Sequence, residues 1–197
     1  MPFIVIGIIA VISIIAIAVY RRMSGEGGIF TPGYKRAGNR GEAIAEGAIK
    51  SVLREKDRYF RNVKIEYEGK PAELDNVIVN EYGVFIIEVK NYNGYIVGKE
   101  DDYEWRKFKT TYAGNTYGKP VKNPIKQVKR QIYILAHHLE RSGIKVWVRG
   151  YTILLNGNSP VESDYVLKSV DDINRVIHTP DRRTLDAGTV EKITGLL

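Results

Sequence analysis

The sequence predicts a mixed α/β domain, a β-sheet flanked by helices, standing behind one membrane-spanning helix. Three observations carry that expectation. An uncharged run opens the chain, a tight hairpin of β-branched residues lies near its middle, and an amphipathic helix leads into a strongly apolar strand. The length of 197 residues suits one domain of ordinary size with a sizeable core. The absence of cysteine excludes disulfides and thiolate metal sites.

The opening run, Phe3 to Tyr20, is 18 residues without a charge, nearly all Ile, Val and Ala. That length matches a short bilayer span. Arg21 and Arg22 follow, and no Lys or Arg precedes, so the positive-inside rule places the amino terminus outside and the rest of the chain in the cytoplasm of a cell membrane. A cleaved secretory signal is the rival, because Ala16-Ile17-Ala18 resembles a cleavage site, but the basic leading region such signals carry is missing. The expected organisation is an anchor over 1–22, a Gly-rich linker over 23–37 and a folded domain over 38–197.

Within the domain, Gly41 to Asp57 reads as a helix, with Ile44, Ala45, Ala48, Ile49, Val52 and Leu53 on one face. Glu42 and Glu46 lie in its first turns, where acids suit the helix dipole. Phe60 to Tyr67 is a strand and Glu68 to Pro71 its turn; Gly94 to Gly98 is a further short strand. Asn123 caps a helix that Pro124 opens, with Ile125, Val128, Ile132, Leu135 and Leu139 as its buried stripe. Gln127 and Gln131, the chain's two glutamines, lie one turn apart on a neighbouring face, and His137 and His138 near the helix end suit the dipole. Lys145 to Asn156, including Trp147, reads as a core strand packed on both faces. Tyr165 to Leu167 is one more short strand, and two helices, Val170 to Ile177 and Leu185 to Leu197, close the chain.

The hairpin spans Glu73 to Lys90. If Asn80 and Gly83 close its turn, Val79 faces Val84, Val77 faces Ile86 and Asp75 faces Glu88. Glu88 and Lys90 are two apart and share a face. Asp75, Glu88 and Lys90 then form a polar trio on an otherwise apolar hairpin. Two carboxylates that close favour a cation between them, and oxygen ligands suit a hard divalent ion such as magnesium. A one-residue bulge would shift the register and separate the acids.

Trp105 to Arg130 holds Arg106, Lys107, Lys109, Lys119, Lys122, Lys126, Lys129 and Arg130 and no acid, so the net charge of +7 is concentrated there. Trp105, Phe108, Tyr112 and Tyr117 are interleaved. Cations for phosphates and rings for bases fit a nucleic-acid surface; a solvated lysine-rich face or a patch on anionic lipid beside the anchor fit as well.

One set of residues runs in order through this plan: Gly38-x-x-Gly41-Glu42, Leu74-Asp75-x-Val77-x-Val79, Gly83-Val84-Phe85-x-Ile87-Glu88-Val89-Lys90-Asn91, then Gly94, Gly98, Trp105, Asn123-Pro124 and Gln127. Over about residues 38 to 155 it resembles the nuclease-related domain, NERD, of the restriction-endonuclease-like PD-(D/E)xK superfamily. Leu74 stands where the superfamily's name-giving motif has Pro. The resemblance implies a mixed sheet flanked by helices and metal-dependent hydrolysis of phosphodiester bonds. It implies Asp75 and Glu88 as the main ligands of Mg2+ or Mn2+, Glu42 completing the acidic cluster, and the Val89 carbonyl assisting. It further implies Lys90 orienting or activating the attacking water and Gln127 reaching the site from its helix. The partners so implied are nucleic acid, DNA ahead of RNA, and a lipid bilayer through residues 3–20. A module that binds nucleic acid or protein without catalysis is the alternative, since a fold does not fix a function.

Overall fold

The computed structural model describes residues 33–180 and 184–197, with side chains from Gly41 onward. The expected membrane anchor and most of the expected linker lie outside the described residues. Among the described residues, no helix is long and apolar enough to cross a membrane. The unit from Gly41 to Leu197 is described here by itself.

The elements follow as α1 (Gly33–Lys50), β1 (Arg58–Tyr67), β2 (Lys70–Asn80), β3 (Gly83–Lys90), β4 (Tyr95–Val97), β5 (Glu104–Thr110) and β6 (Thr116–Lys122), then α2 (Pro124–Arg141), β7 (Val148–Leu154), β8 (Val166–Leu167), α3 (Val170–His178) and α4 (Ala187–Thr194). Five strands form one mixed sheet in the order β1-β2-β3-β7-β8. The first three run antiparallel, and β7 and β8 join parallel to β3. A second, antiparallel sheet is built from β4, β5 and β6.

Alternation along β3 assigns the two faces of the large sheet. Val84 and Ile86 pack with Val128, Leu135 and Leu139 of α2 and with Val190 and Ile193 of α4. Phe85 and Ile87 pack with Ile49 of α1 and with Ile173 and Ile177 of α3. Each such fully buried aliphatic or aromatic side chain contributes about 1.5–3 kcal/mol relative to exposure. By the same alternation Glu88 and Lys90 belong to the α2 face, at the end of the apolar run. Gly150 lets α2 sit close on β7, since a Cβ there would lie 2.7 Å from Val128 and 2.8 Å from Ile132.

The hairpin register is the expected one, with Val77 opposite Ile86 and Val79 opposite Val84. The difference lies just beyond. Leu74 and Val77 pack in the same core although they are three residues apart, and so do Phe60 and Val63. A uniform pleat would send such pairs to opposite faces. Both strands therefore skip half a pleat at the same level, in β1 at Asn62, whose φ is 51°, and in β2 at Asp75.

Some boundaries differ from expectation. The first helix runs 33–50 instead of 41–57, so its backbone takes in residues 33–37 of the expected linker. The Gly-rich composition suggested flexibility, but each glycine costs a helix only about 1 kcal/mol. At the other end the Asp57 carboxylate accepts the Arg54 amide at 2.7 Å and fixes a turn, while Val52 and Leu53 still pack on the core, which prolongs the helical periodicity past Lys50. The turn after β1 is confined to Glu68 and Gly69, both at positive φ. Trp147 precedes β7 and is 60 % exposed, so it is not a core residue; β7 is shorter than the apolar run that contains it. Of the region from Trp105 to Arg130, the first half is the β5–β6 hairpin.

Candidate active site

Glu88 is fully buried. Its Oε1 accepts hydrogen bonds from Lys90 Nζ and from Gln127 Nε2, the latter at 2.6 Å. Its Oε2 accepts from Gln131 Nε2 at 2.7 Å, and the same nitrogen donates to the Glu73 carbonyl at 2.9 Å. The sequence produces this directly. Asn123 caps α2 by accepting the Ile125 amide at 2.9 Å, which fixes the phase of the helix. Positions 127 and 131 then stack one turn apart over the end of β3. The carboxylate dictates the amide orientation, nitrogens inward. It leaves Gln127 Oε1 and Gln131 Oε1 buried without a hydrogen-bond partner among the described residues.

Asp75 sits where the ladder is interrupted. Its Oδ2 accepts the Val89 amide at 2.9 Å. Beside it, Asn76 Nδ2 donates to the Ile87 carbonyl at 3.0 Å and Asn76 Oδ1 accepts from the Tyr59 hydroxyl at 2.6 Å. Side chains thus satisfy backbone groups that the β2–β3 ladder leaves open past Val77 and Ile86. Asp75 remains close enough to Glu88 for the two charges to repel. Burial first, and then Asp75, pushes the Glu88 carboxyl above its ordinary value, against the opposing pull of Lys90 and Gln131.

Of the two glutamates on α1, Glu42 lines a small cleft of about 20 Å³ with Arg61, Asn62, Asp75, Asn76 and Val89. That is room for about one water or one ion. Gly41 brings this helix in close, because a Cβ there would lie 2.9 Å from Asn91 Nδ2 and 3.0 Å from Leu155. Glu46 is instead held in ion pairs, with Lys50 at 2.7 Å and Arg61 at 2.6 Å. The expected residues therefore gather in two groups joined at Asp75. Glu88, Lys90 and Gln127 are directly hydrogen-bonded, and Glu42 shares a cleft with Asp75. Among the described residues no group of three His, Cys, Asp or Glu side chains is arranged to hold a metal ion. Asp75 and Glu88 offer carboxylate oxygens, the donor type that suits a hard cation such as magnesium or manganese.

Gln131 is the site residue that the sequence reading passed over. Its signal was present, a second glutamine one helical turn from the first on a helix of otherwise ordinary amphipathicity.

The expected basic surface divides. Arg106, Lys107, Lys109, Lys119 and Lys122 lie on β5 and β6. The three on α2 have partners within the fold: Lys126 pairs with Asp101 at 3.7 Å and Lys129 with Glu100 at 2.9 Å, while Arg130 donates to the Pro71 carbonyl at 2.9 Å.

A mixed sheet covered by helices on both faces, with an acid on one strand of a hairpin and Glu-x-Lys on the next, defines a restriction-endonuclease-like protein. The nuclease-related domain matches residues 37–155, and the chain belongs to that NERD family. It is 36 % identical over 73 residues to an uncharacterized protein of Bacillus anthracis, a match covering 36 % of this chain and 34 % of that relative. The chain thus spans about a third of the length of that curated relative. No solved structure matches.

Proposed function

We propose that this protein hydrolyses phosphodiester bonds of nucleic acid with a divalent metal ion, Mg2+ or Mn2+. The observation that supports this reading most is a buried carboxylate, Glu88, carrying an ammonium partner beside a second acid, Asp75, within a family of nuclease-related domains. Asp75 and Glu88 are the residues that would hold the ion, and Glu42 lines a small cleft with Asp75. A divalent ion there supplies a bound water of lowered pKa and offsets negative charge on the reacting phosphate.

The chain's own groups do the remaining work. Gln127 and Gln131 hold Glu88 in one rotamer. The Val89 amide fixes Asp75. Lys90, with its side chain 19 % exposed, reaches from Glu88 toward solvent. Its compact ammonium can hydrogen-bond a phosphate oxygen or orient a water. Residues 3–20 as a single-pass bilayer anchor, with the domain in the cytoplasm, complete the reading from the sequence.

One observation favours a second reading, a binding module without catalysis. Three side-chain donors, from Lys90, Gln127 and Gln131, already satisfy Glu88 without a cation. Cleavage of labelled DNA and RNA by the full chain in neutral detergent separates the two. The enzyme reading expects cleavage in Mg2+ or Mn2+, none in chelator, and loss of roughly 100-fold or more in Lys90→Ala. Binding that is independent of metal, with no product from any substrate, would establish the second reading instead.

A further inference from the structure

Lys107 on β5 stands directly opposite Lys119 on β6, and Lys109 stands opposite Tyr117. Like charges facing each other across an antiparallel pair oppose folding. The region around them, 105–122, contains no acidic residue. The three lysines share the parity of Trp105, whose ring is buried with Ile96 against Ile125 and Leu154 of the main body. By that parity they stand on the Trp105 side of the small sheet, where Lys109 and Lys119 are exposed, and Tyr95, Val97, Arg106 and Phe108 stand on the other. Lys107 Nζ lies 5.7 Å from the centre of the Tyr92 ring. The Tyr92 hydroxyl is pushed up to about 12, by burial first and then by the charge of Glu88. Tyr92 follows Lys90, the last residue of β3, by two positions, so Lys107 meets the chain just past the strand that carries Glu88 and Lys90. Burial, then Lys119, then Lys109, hold the Lys107 ammonium below its ordinary value.

We propose that Lys107, Lys109 and Lys119 form the clamp that holds the phosphate backbone of a nucleic acid beside Glu88 and Lys90. The clamp deepens the nuclease reading and rests on it for the identity of the polyanion. Lys107, Lys109 and Lys119 have no ion-pair partner among the described residues, and the repulsion between like charges facing each other across the hairpin is relieved when phosphates come between them.

The test measures binding of a fluorescent DNA oligonucleotide by anisotropy, across salt concentrations and in chelator, so that cleavage plays no part. It uses the full chain in neutral detergent. Lys107→Gln/Lys109→Gln/Lys119→Gln lowers the slope of log affinity against log salt by about 2–3. Lys56→Gln/Lys145→Gln/Lys192→Gln, which removes the same formal charge elsewhere, leaves the slope close to the parent value. The single change Lys119→Gln raises the melting temperature of the free protein by roughly 1–3 °C and reduces the further rise that the oligonucleotide produces. The proposal is overturned if the oligonucleotide does not bind, if both triple variants lose slope equally, or if the clamp variant loses binding to vesicles of anionic lipid but not to DNA. Binding that behaves as expected with no cleavage in any metal would remove the enzymatic reading and leave the clamp standing.

Discussion

Asp75 accepts the backbone amide of Val89 across the β2–β3 hairpin at 2.9 Å, beyond the last ladder pair, Val77 and Ile86. That bond holds the acid at the break in the ladder. It gives Asp75 and Glu88 separate supports while keeping them in electrostatic contact. The proposal that this pair of acids holds a cation has consequences that can be measured.

Gln131 holds the Glu88 Oε2, while Lys90 and Gln127 hold Oε1. Gln131→Leu removes its bonds to Glu88 and to the Glu73 carbonyl and leaves the Glu88 Oε2 buried without that donor. The expected loss is about 2–3 kcal/mol in urea denaturation. Because the Gln131 bond lowers the Glu88 pKa, its loss also moves the acid limb of any cleavage profile toward higher pH.

Gly150 sets the distance between α2 and β7. Gly150→Ala places a methyl within 3 Å of Val128 and Ile132, side chains on the helix that carries both glutamines. Overpacking of this kind costs about 1–3 kcal/mol. Thermal denaturation reads that loss, and cleavage should fall further than the same loss of stability produces in a variant remote from α2.

The raised Glu88 pKa fixes the sign of a pH dependence. The folded state holds the Glu88 proton more tightly than the unfolded chain does, from an ordinary value of 4.5. Its contribution to stability is therefore present in acid and lost as pH rises through the folded-state pKa. Glu88→Gln cannot ionise, so its stability relative to the parent climbs over that interval and then levels off. Urea denaturation of both proteins in chelator, from about pH 4 to about pH 8, checks this; a flat or falling difference contradicts it. Divalent ions compete with the Glu88 proton, so their affinity rises with pH over the same range.

Much of this arrangement was legible in the residues. Asn80 and Gly83 set the hairpin register, and the period of two then assigned Glu88 and Lys90 to one face. Asn123-Pro124 announced α2 and its phase. The break at Asp75 and Asn62 was not legible, because register arithmetic assumes an unbroken pleat and the slip occurs in two strands that pack on each other. The start of α1 at Gly33 was hidden because glycine lowers helix propensity without forbidding the helix. Trp147 looked like core because an apolar run says nothing about where the strand inside it begins. The division of the basic stretch depended on which elements its cations face, and composition carries no such information.

The central claim is that Asp75 and Glu88 together hold a divalent ion. Titration calorimetry of Mn2+ or Mg2+ into the full chain, in neutral detergent and with a non-hydrolysable oligonucleotide present, tests it most directly. The comparison is with Asp75→Asn, which can still accept the Val89 amide but lacks the charge. The account predicts saturable binding in the parent and its loss in the variant, with the fold unchanged by circular dichroism. Equal binding in both proteins, or none in the parent, would contradict it.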